Sequence, residues 1–284
     1  MSYLKIIDSP SDMSAWSRQI RTGGKTLGFV PTMGALHNGH LSLLQRARKE
    51  CDFVAASIYV NPTQFGPEED FKNYPRTFDA DKKLCADAGV DCIFAPKNLY
   101  AKDARTFIEV HGLQDNLCGL SRPGHFRGVA TVVAKLFNIV QPDRAYFGRK
   151  DAQQLLVIQT MARDLDYPLE IVPCETLREA DGLALSSRNR FLSAKERKLA
   201  LAVPRALDHA REEIANGERD AMEILEGMAE ILSSNSAVEI DYCALVDAHT
   251  LEDLKQLKGD VLAAVAVKIG KTRLIDNARF EKLT

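Results

Sequence analysis

Across roughly the first 175 residues, short apolar runs alternate with amphipathic stretches, and no other feature constrains the fold as strongly. LGFVP (27–31), FVAASIYV (53–60), DCIFAP (91–96), RAYFG (144–148) and LEIVPC (169–174) read as buried strands. Between them LSLLQRARKEC, TFDADKKLCADAG, GVATVVAKLFNIV and AQQLLVIQTMARDL carry apolar residues at helical spacing. Strand and helix in alternation predict a parallel sheet with right-handed crossovers and helices on both faces. Such sheets bind ligands beyond the carboxyl ends of their strands, near the point where strand order reverses. After DGLALSSRNR the pattern changes. Residues 193–216 and 220–234 read as helices, with Pro204 kinking or dividing the first. VEIDYCALVD, VLAAVAVKIG and TRLIDNARF then read as strands, which predicts a smaller α+β domain with an antiparallel sheet.

Composition narrows the function. The 284 residues carry a formal net charge of -2, so no global basic field recruits nucleic acid or an anionic membrane. An anionic ligand must be met by a local site. No window reaches the roughly 18 apolar residues of a membrane span, and MSYLKIIDSP lacks the features of a signal peptide. The cysteines at 51, 85, 92, 118, 174 and 243 form no CxxC pair, which argues against a zinc ribbon or thioredoxin chemistry and for reduced thiols in the cytoplasm. GKT within TGGKTLGF lacks the first Gly of a phosphate loop and precedes a strand, so it reads as a turn.

The segment VPTMGALHNGH (30–40) concentrates the chemistry. Pro31 ends a strand, Gly34 permits a tight turn, and Asn38 suits the cap of the helix that follows. His37 and His40 are three apart, so a helix starting near Asn38 turns both rings to one region, and Gly39 leaves room for a ligand. The open amides and positive dipole of a helix start favour phosphate, and an imidazole adds a hydrogen bond or a charge. Lys150 in FGRKD and Ser186, Ser187 and Arg188 in LSSR supply further donors and positive charge. LSSRN, small and polar between the two expected domains, suits a mobile lid that excludes water.

HxGH after a first strand resembles the signature of nucleotidylyltransferases and class I aminoacyl-tRNA synthetases. PTMGALHNGH resembles the pantothenate synthetase family in particular. NPTQFGPEED (61–70), YPRT (74–77), SRPGHFRGV (121–129), FGRKDAQQL (147–155), DGLALSSRNRFL (181–192) and RLIDN (273–277) agree, in the family's order and across nearly the whole chain. The resemblance implies a Rossmann-like parallel-sheet N-terminal domain, 1–175, binding ATP and pantoate, and a smaller α+β C-terminal lid domain, 176–284. It implies an ATP-dependent ligase that condenses (R)-pantoate with β-alanine, giving pantothenate, AMP and diphosphate through an enzyme-bound pantoyl-adenylate. It also implies that Mg2+ accompanies ATP and that a homodimer forms through the N-terminal domain.

The family analogy places Met33, Gly34, Ala35, Leu36, His37, Asn38, Gly39 and His40 on ATP, with His40 as proton donor. Gly148, Arg149, Lys150 and Asp151 fall on ATP as well, as do Leu185, Ser186, Ser187 and Arg188, with Leu177 near the adenine. His37, His40, Lys150 and Arg188 are the expected catalytic set, because the transition state concentrates negative charge on the phosphates. Gln64 and Gln154 match the pantoate-binding glutamines, and Gln64 is implicated in β-alanine binding too. An amide both donates to and accepts from hydroxyl and carboxylate groups. Asn61 ends a strand at a ligand-facing position, and Arg122, with His125 and Arg127 nearby, could stabilise an anion. Asp81 in TFDADKK falls where the family has acidic metal-associated positions, although the neighbouring position is Ala80 rather than an acid; Asp151 is an alternative. Many members carry Glu where this chain has Cys118, so either the position tolerates change or the local β-alanine contacts differ.

Three other readings compete. A nucleotidylyltransferase would stop after transfer of AMP, whereas a ligase goes on to release AMP with an amide. A nucleotide sensor needs no complete set of transition-state groups, so the joint presence of both histidines, Lys150 and LSSR argues against it. An RNA-binding synthetase relative is disfavoured by the absence of a basic tract.

Overall fold

The computed structural model describes residues 4–67, 69 and 71–284. The chain divides into two compact units. The first holds the chain up to Gln114, then Arg122–Arg149 and Gln154–Glu175; the second holds Asp115–Ser121, Lys150–Gln153 and Thr176–Thr284.

Six parallel strands form the sheet of the first unit: β1 (Lys5–Ile7), β2 (Leu27–Thr32), β3 (Phe53–Ile58), β4 (Cys92–Phe94), β5 (Arg144–Gly148) and β6 (Glu170–Cys174), in the order β1-β4-β3-β2-β5-β6. Helices α1 (Pro10–Thr22), α2 (Asn38–Glu50), α3 (Phe78–Asp87), α5 (His125–Val140) and α6 (Ala152–Asp164) connect them; α4 (Cys118–Ser121) is a single turn in the second unit. The strands are apolar on both sides because helices cover both. Val30 joins Leu43, Leu44 and Ala47 of α2, Cys85 of α3 and Tyr146 of β5 in one buried cluster. Side chains alternate along a strand, so Phe29, also fully buried, faces the opposite way. There α1 and α5 pack on each other and on β2.

From β2 the chain builds outward to β3 and β4 on one side, then returns to β5 and β6 on the other. The carboxyl ends of the neighbours β2 and β5 therefore flank the point where strand order reverses, the usual ligand crevice of such sheets. Two elements go beyond the alternation read from sequence. β1 is a three-residue edge strand, too short to show a period, and α1 is capped by Ser9, whose hydroxyl accepts from the Asp12 amide. The GKT segment is a turn before β2, with Lys25 paired to Asp52.

The second unit has α7 (Ala194–Leu199), α8 (Ala202–Ala215), α9 (Ala221–Ser233) and an antiparallel sheet β7-β8-β9, with β7 at Val238–Asp247, β8 at Gly259–Ile269 and β9 at Thr272–Leu283. The long helical stretch is divided at Ala200 and Leu201. Pro204 then sits in the first turn of α8, where its missing N–H breaks no helical bond. Leu207, Ile224 and Met228 of α8 and α9 pack with Val261, Val265 and Val267 of β8 in the core of this unit.

Close packing makes two helical glycines unequal. A Cβ on Gly128 of α5 would lie 2.3 Å from the Thr63 carbonyl oxygen and 2.7 Å from the Gln64 Cα, backbone atoms that cannot swing away. A Cβ on Gly227 of α9 would lie 2.0 Å from His209 Nε2, the far end of a side chain with other rotamers. Gly128→Ala is expected to cost about 2 kcal/mol or more by overpacking, lowering Tm by roughly 4–8 °C. Gly227→Ala gains helix propensity in partial compensation and should move Tm by no more than about 2 °C. Thermal denaturation of the two variants checks this ranking.

Candidate active site

The site is built on a shortage of hydrogen-bond acceptors. Where β2 ends and α2 begins, the backbone amides point away from both the sheet ladder and the helix ladder and need partners. Five of them find side chains. Gly34 N donates to Thr32 Oγ1 (3.1 Å), Ala35 N to Asp81 Oδ2 (2.9 Å) and Leu36 N to Asp81 Oδ1 (2.8 Å). His37 N donates to His40 Nδ1 (3.3 Å), and Gly39 N to His37 Nδ1 (3.1 Å). The turn takes left-handed φ values at two successive residues, +83° at Gly34 and +51° at Ala35. A Cβ on Gly34 would sit 3.0 Å from Asp81 Oδ2, so glycine is needed for conformation and for clearance alike.

These bonds revise two expectations. Asn38 is not the cap of α2 but its exposed first residue; His37 caps the helix, because Nδ1 can accept a backbone amide much as an Asn Oδ1 does. Nor does the helix start offer a run of open amides, since those of residues 34–37 and 39 are already engaged. What it offers instead is two imidazoles of defined tautomer. A ring nitrogen that accepts an N–H carries no hydrogen, so each ring bears its hydrogen on Nε2. The ring centroids lie 4.2 Å apart, as the i, i+3 spacing predicted.

Beside this turn, Pro62–Gln64 makes a short 3-10 turn after β3. Gln64 Nε2 donates to Met33 Sδ at 3.2 Å, joining two of the sequence-predicted segments. Asn61 is 1% exposed and does not face outward; its Nδ2 donates to Gln64 Oε1 and to the Gly128 carbonyl, and its Oδ1 accepts from Tyr100 and Thr63 hydroxyls. It holds the Gln64 amide from behind. Arg122 is likewise committed: it grips Glu69 through two nitrogens (2.6 and 2.8 Å) and donates to His125 Nε2 (2.9 Å). Because Arg can only donate, His125 carries its hydrogen on Nδ1, and that group donates to the Gln64 carbonyl (2.8 Å). Burial alone would raise the Glu69 carboxyl, but the Arg122 guanidinium brings it below its ordinary value. Tyr100, Gly128 and the Glu69–Arg122–His125 chain are the parts that sequence reasoning missed or assigned differently. Gln154 lies half-buried in the first turn of α6; Gly148 ends β5, and Arg149 opens the 3-10 turn that follows, paired to Glu175 at 3.0 Å.

The expected metal carboxylate does not fit a metal ligand. Asp81 is 2% exposed, and both its oxygens accept backbone amides, with Thr77 Oγ1 a third donor to Oδ1. Its buried neighbour Cys85 is pushed up to about 12 by burial, with the Asp81 charge adding to the effect, so no thiolate joins it. Among the described residues, no three His, Cys, Asp or Glu side chains are grouped to hold a metal ion.

The remaining predicted residues belong to the second unit. Lys150 and Asp151 are half-buried in a 3-10 turn, and the Lys150 carbonyl accepts from Asn277 Nδ2 at 2.9 Å. Leu185 N donates to the carbonyl of the exposed Leu177 (2.9 Å). Ser186 Oγ caps the 3-10 turn Ser187–Phe191 by accepting from Arg188 N. The RLIDN motif braces this segment. Asp276, 3% exposed, receives both terminal nitrogens of Arg178, which also donates to the Gly182 carbonyl. Burial would lower the Arg178 guanidinium; the Asp276 carboxylate more than offsets it and holds it above its ordinary value. Cys118 packs among Tyr242 (3.1 Å) and Arg273 (3.4 Å), and Arg273 takes its carboxylate partner from Asp241 at 2.5 Å.

A family model described as pantoate-beta-alanine ligase matches residues 5–279. A pantothenate synthetase from Heliobacterium modesticaldum is 52% identical over 276 residues, 96% of this chain and 98% of its own. One from Thermotoga neapolitana is 53% identical over 276 residues, 96% of this chain and 99% of its own. Among solved structures, a pantothenate synthetase from Thermus thermophilus superposes with a TM-score of 0.92 at 45% identity, covering 96% of this chain and 98% of that one. Pantoate-beta-alanine ligase from Francisella tularensis, complexed with beta-gamma ATP and β-alanine, gives 0.78 at 33% identity, with 97% of each chain covered.

The cap can be tested apart from the chemistry. His37→Ala should destabilise the protein by about 1 kcal/mol, whereas His37→Asn, which keeps an acceptor for the Gly39 amide, should lose less than about half of that. Chemical denaturation of the two variants reads the difference.

Proposed function

The chain belongs to the pantoate-beta-alanine ligase family, and on that premise we propose how its residues share the reaction. It is an ATP-dependent ligase: pantoate and β-alanine become pantothenate while ATP is split to AMP and diphosphate, by way of a pantoyl-adenylate. In the first step a pantoate carboxylate oxygen attacks the α-phosphorus, and the bond to diphosphate breaks as the new P–O bond forms. Negative charge grows on the phosphate oxygens, so the useful groups are fixed donors and cations. We assign His37 and His40 as Nε2–H donors to the triphosphate, His40 serving the departing diphosphate. The observation that carries this assignment is that both Nδ1 atoms accept backbone amides at the start of α2, which commits both Nε2 atoms to donating.

Lys150 and Arg188 supply positive charge in this scheme, Ser186 and Ser187 hydroxyl donors, and Leu177 an apolar surface for the adenine. Gly34, Ala35, Leu36, Asn38, Gly39, Gly148, Arg149, Asp151 and Leu185 shape the nucleotide site. Gln64 and Gln154 bind pantoate through amides that match its hydroxyls and carboxylate. Asn61 and the Arg122–His125 pair then act through Gln64 rather than on substrate, which suits their burial and their partners. In the second step the neutral amine of β-alanine attacks the acyl carbon, AMP leaves, the amine loses a proton and the amide forms. No enzyme nucleophile is needed.

Mg2+ would reach the site on the triphosphate oxygens, keeping several waters. Residues 1–175 are proposed to bind ATP and pantoate, and residues 176–284 to keep water from the adenylate. A homodimer through the first of these domains and a cytoplasmic location follow the family resemblance. Among the described residues, no helix is long and apolar enough to cross a membrane.

Pantoate-dependent exchange of labelled diphosphate into ATP isolates the first step. His40→Ala should lower its kcat by about a hundredfold or more while changing ATP binding far less; a loss confined to KM would refute the transition-state role. Gln154→Ala should act mainly on pantoate KM, and an unchanged KM would refute that assignment.

A further inference from the structure

Asp81 stands where a metal-binding acid was expected, yet its surroundings suit a different task. A carboxylate accepts hydrogen bonds and cannot donate them, and here it is met by donors: the amides of Ala35 and Leu36 and the hydroxyl of Thr77. The amides belong to the turn that leads into the His37 cap, and one of them belongs to Ala35, held at φ +51° where an L-residue is strained. At 2% exposure the carboxylate has no path to a hydrated ion.

We propose that Asp81 is a positioning residue: its buried carboxylate holds the Gly34–Leu36 turn, and through that turn the two imidazoles, in the geometry that adenylation requires, and it ligates no metal. This rests on the assignment of His37 and His40 to the triphosphate. Asp81→Asn is the discriminating variant, because it keeps the shape but sets an NH2 donor against one of the two amides. Thr77→Val, by contrast, removes one donor and leaves both amide bonds intact.

The test combines hydrogen exchange with diphosphate–ATP exchange at varied Mg2+. In Asp81→Asn the protection of the Ala35 and Leu36 amides should fall, and kcat should drop roughly ten- to a hundredfold, the range for losing a charged acceptor. The Mg2+ concentration giving half the maximal rate should stay within about twofold, whereas a lost metal ligand would raise it by about tenfold or more. Thr77→Val should show the same pattern in weaker form. Unchanged protection, an unchanged kcat, or a shift of about tenfold in Mg2+ requirement would each overturn the proposal. Should Asp81→Asn not fold, Mn2+ added alone to the wild-type protein decides: broadening of the residue 35 and 36 amide resonances contradicts the proposal, and sharp resonances support it. A wild-type protein without pantoate-dependent exchange would overturn the underlying assignment instead.

Discussion

The structure turns on the backbone amides between β2 and α2. A parallel strand that feeds directly into a helix leaves the N–H groups of the junction outside both ladders, and burying them unpaired would destabilise the junction. This chain pairs them with a threonine hydroxyl, an aspartate carboxylate and two imidazoles. The same bonds that close the helix start decide which ring nitrogen of each histidine carries hydrogen. On the catalytic assignment proposed for His37 and His40, structural and chemical roles share these atoms.

A second layer of side chains acts at one remove. Glu69, Arg122 and His125 form a chain of directed hydrogen bonds ending on the Gln64 carbonyl, while Asn61 and Tyr100 fix the Gln64 amide. Gly128 lets α5 approach that turn at backbone distance. In the other unit, Asp276 and Asn277 do comparable work for the 178–182 segment and for Lys150. Charged groups in such places are paired because an unpaired buried charge is costly.

Much of the fold was legible because it is written in periods. Alternating strand and helix runs placed five of the six parallel strands, and the change of pattern after residue 190 marked the antiparallel sheet. β1 escaped because three residues carry no period. Motif spacing located the β2–α2 turn, the Gln64 turn and the 185–188 segment, but it could not name partners far away in sequence. Asp81 lies 46 residues from one of the amides it accepts and 45 from the other, and an acid at that position is equally consistent with a metal ligand and a brace. Arg122 and Asn61 have the residue types of ligand-binding groups, and only the structure shows that Arg122 bonds Glu69 and His125 and that Asn61 is buried against Gln64. His37 displaced Asn38 as the cap because an imidazole in this backbone setting reaches the Gly39 amide, a choice that propensity alone ranks the other way. The position of Cys118 has a clearer setting too: Arg273 beside it draws its carboxylate from Asp241.

The most direct measurement is nitrogen-15 NMR of the imidazole rings in the nucleotide-free protein, with His37 and His40 assigned by substitution. Each ring should show a hydrogen on Nε2 and an unprotonated, hydrogen-bond-accepting Nδ1. A hydrogen on Nδ1 of either ring would contradict the account, since that nitrogen could then no longer accept the amide that sets the helix start.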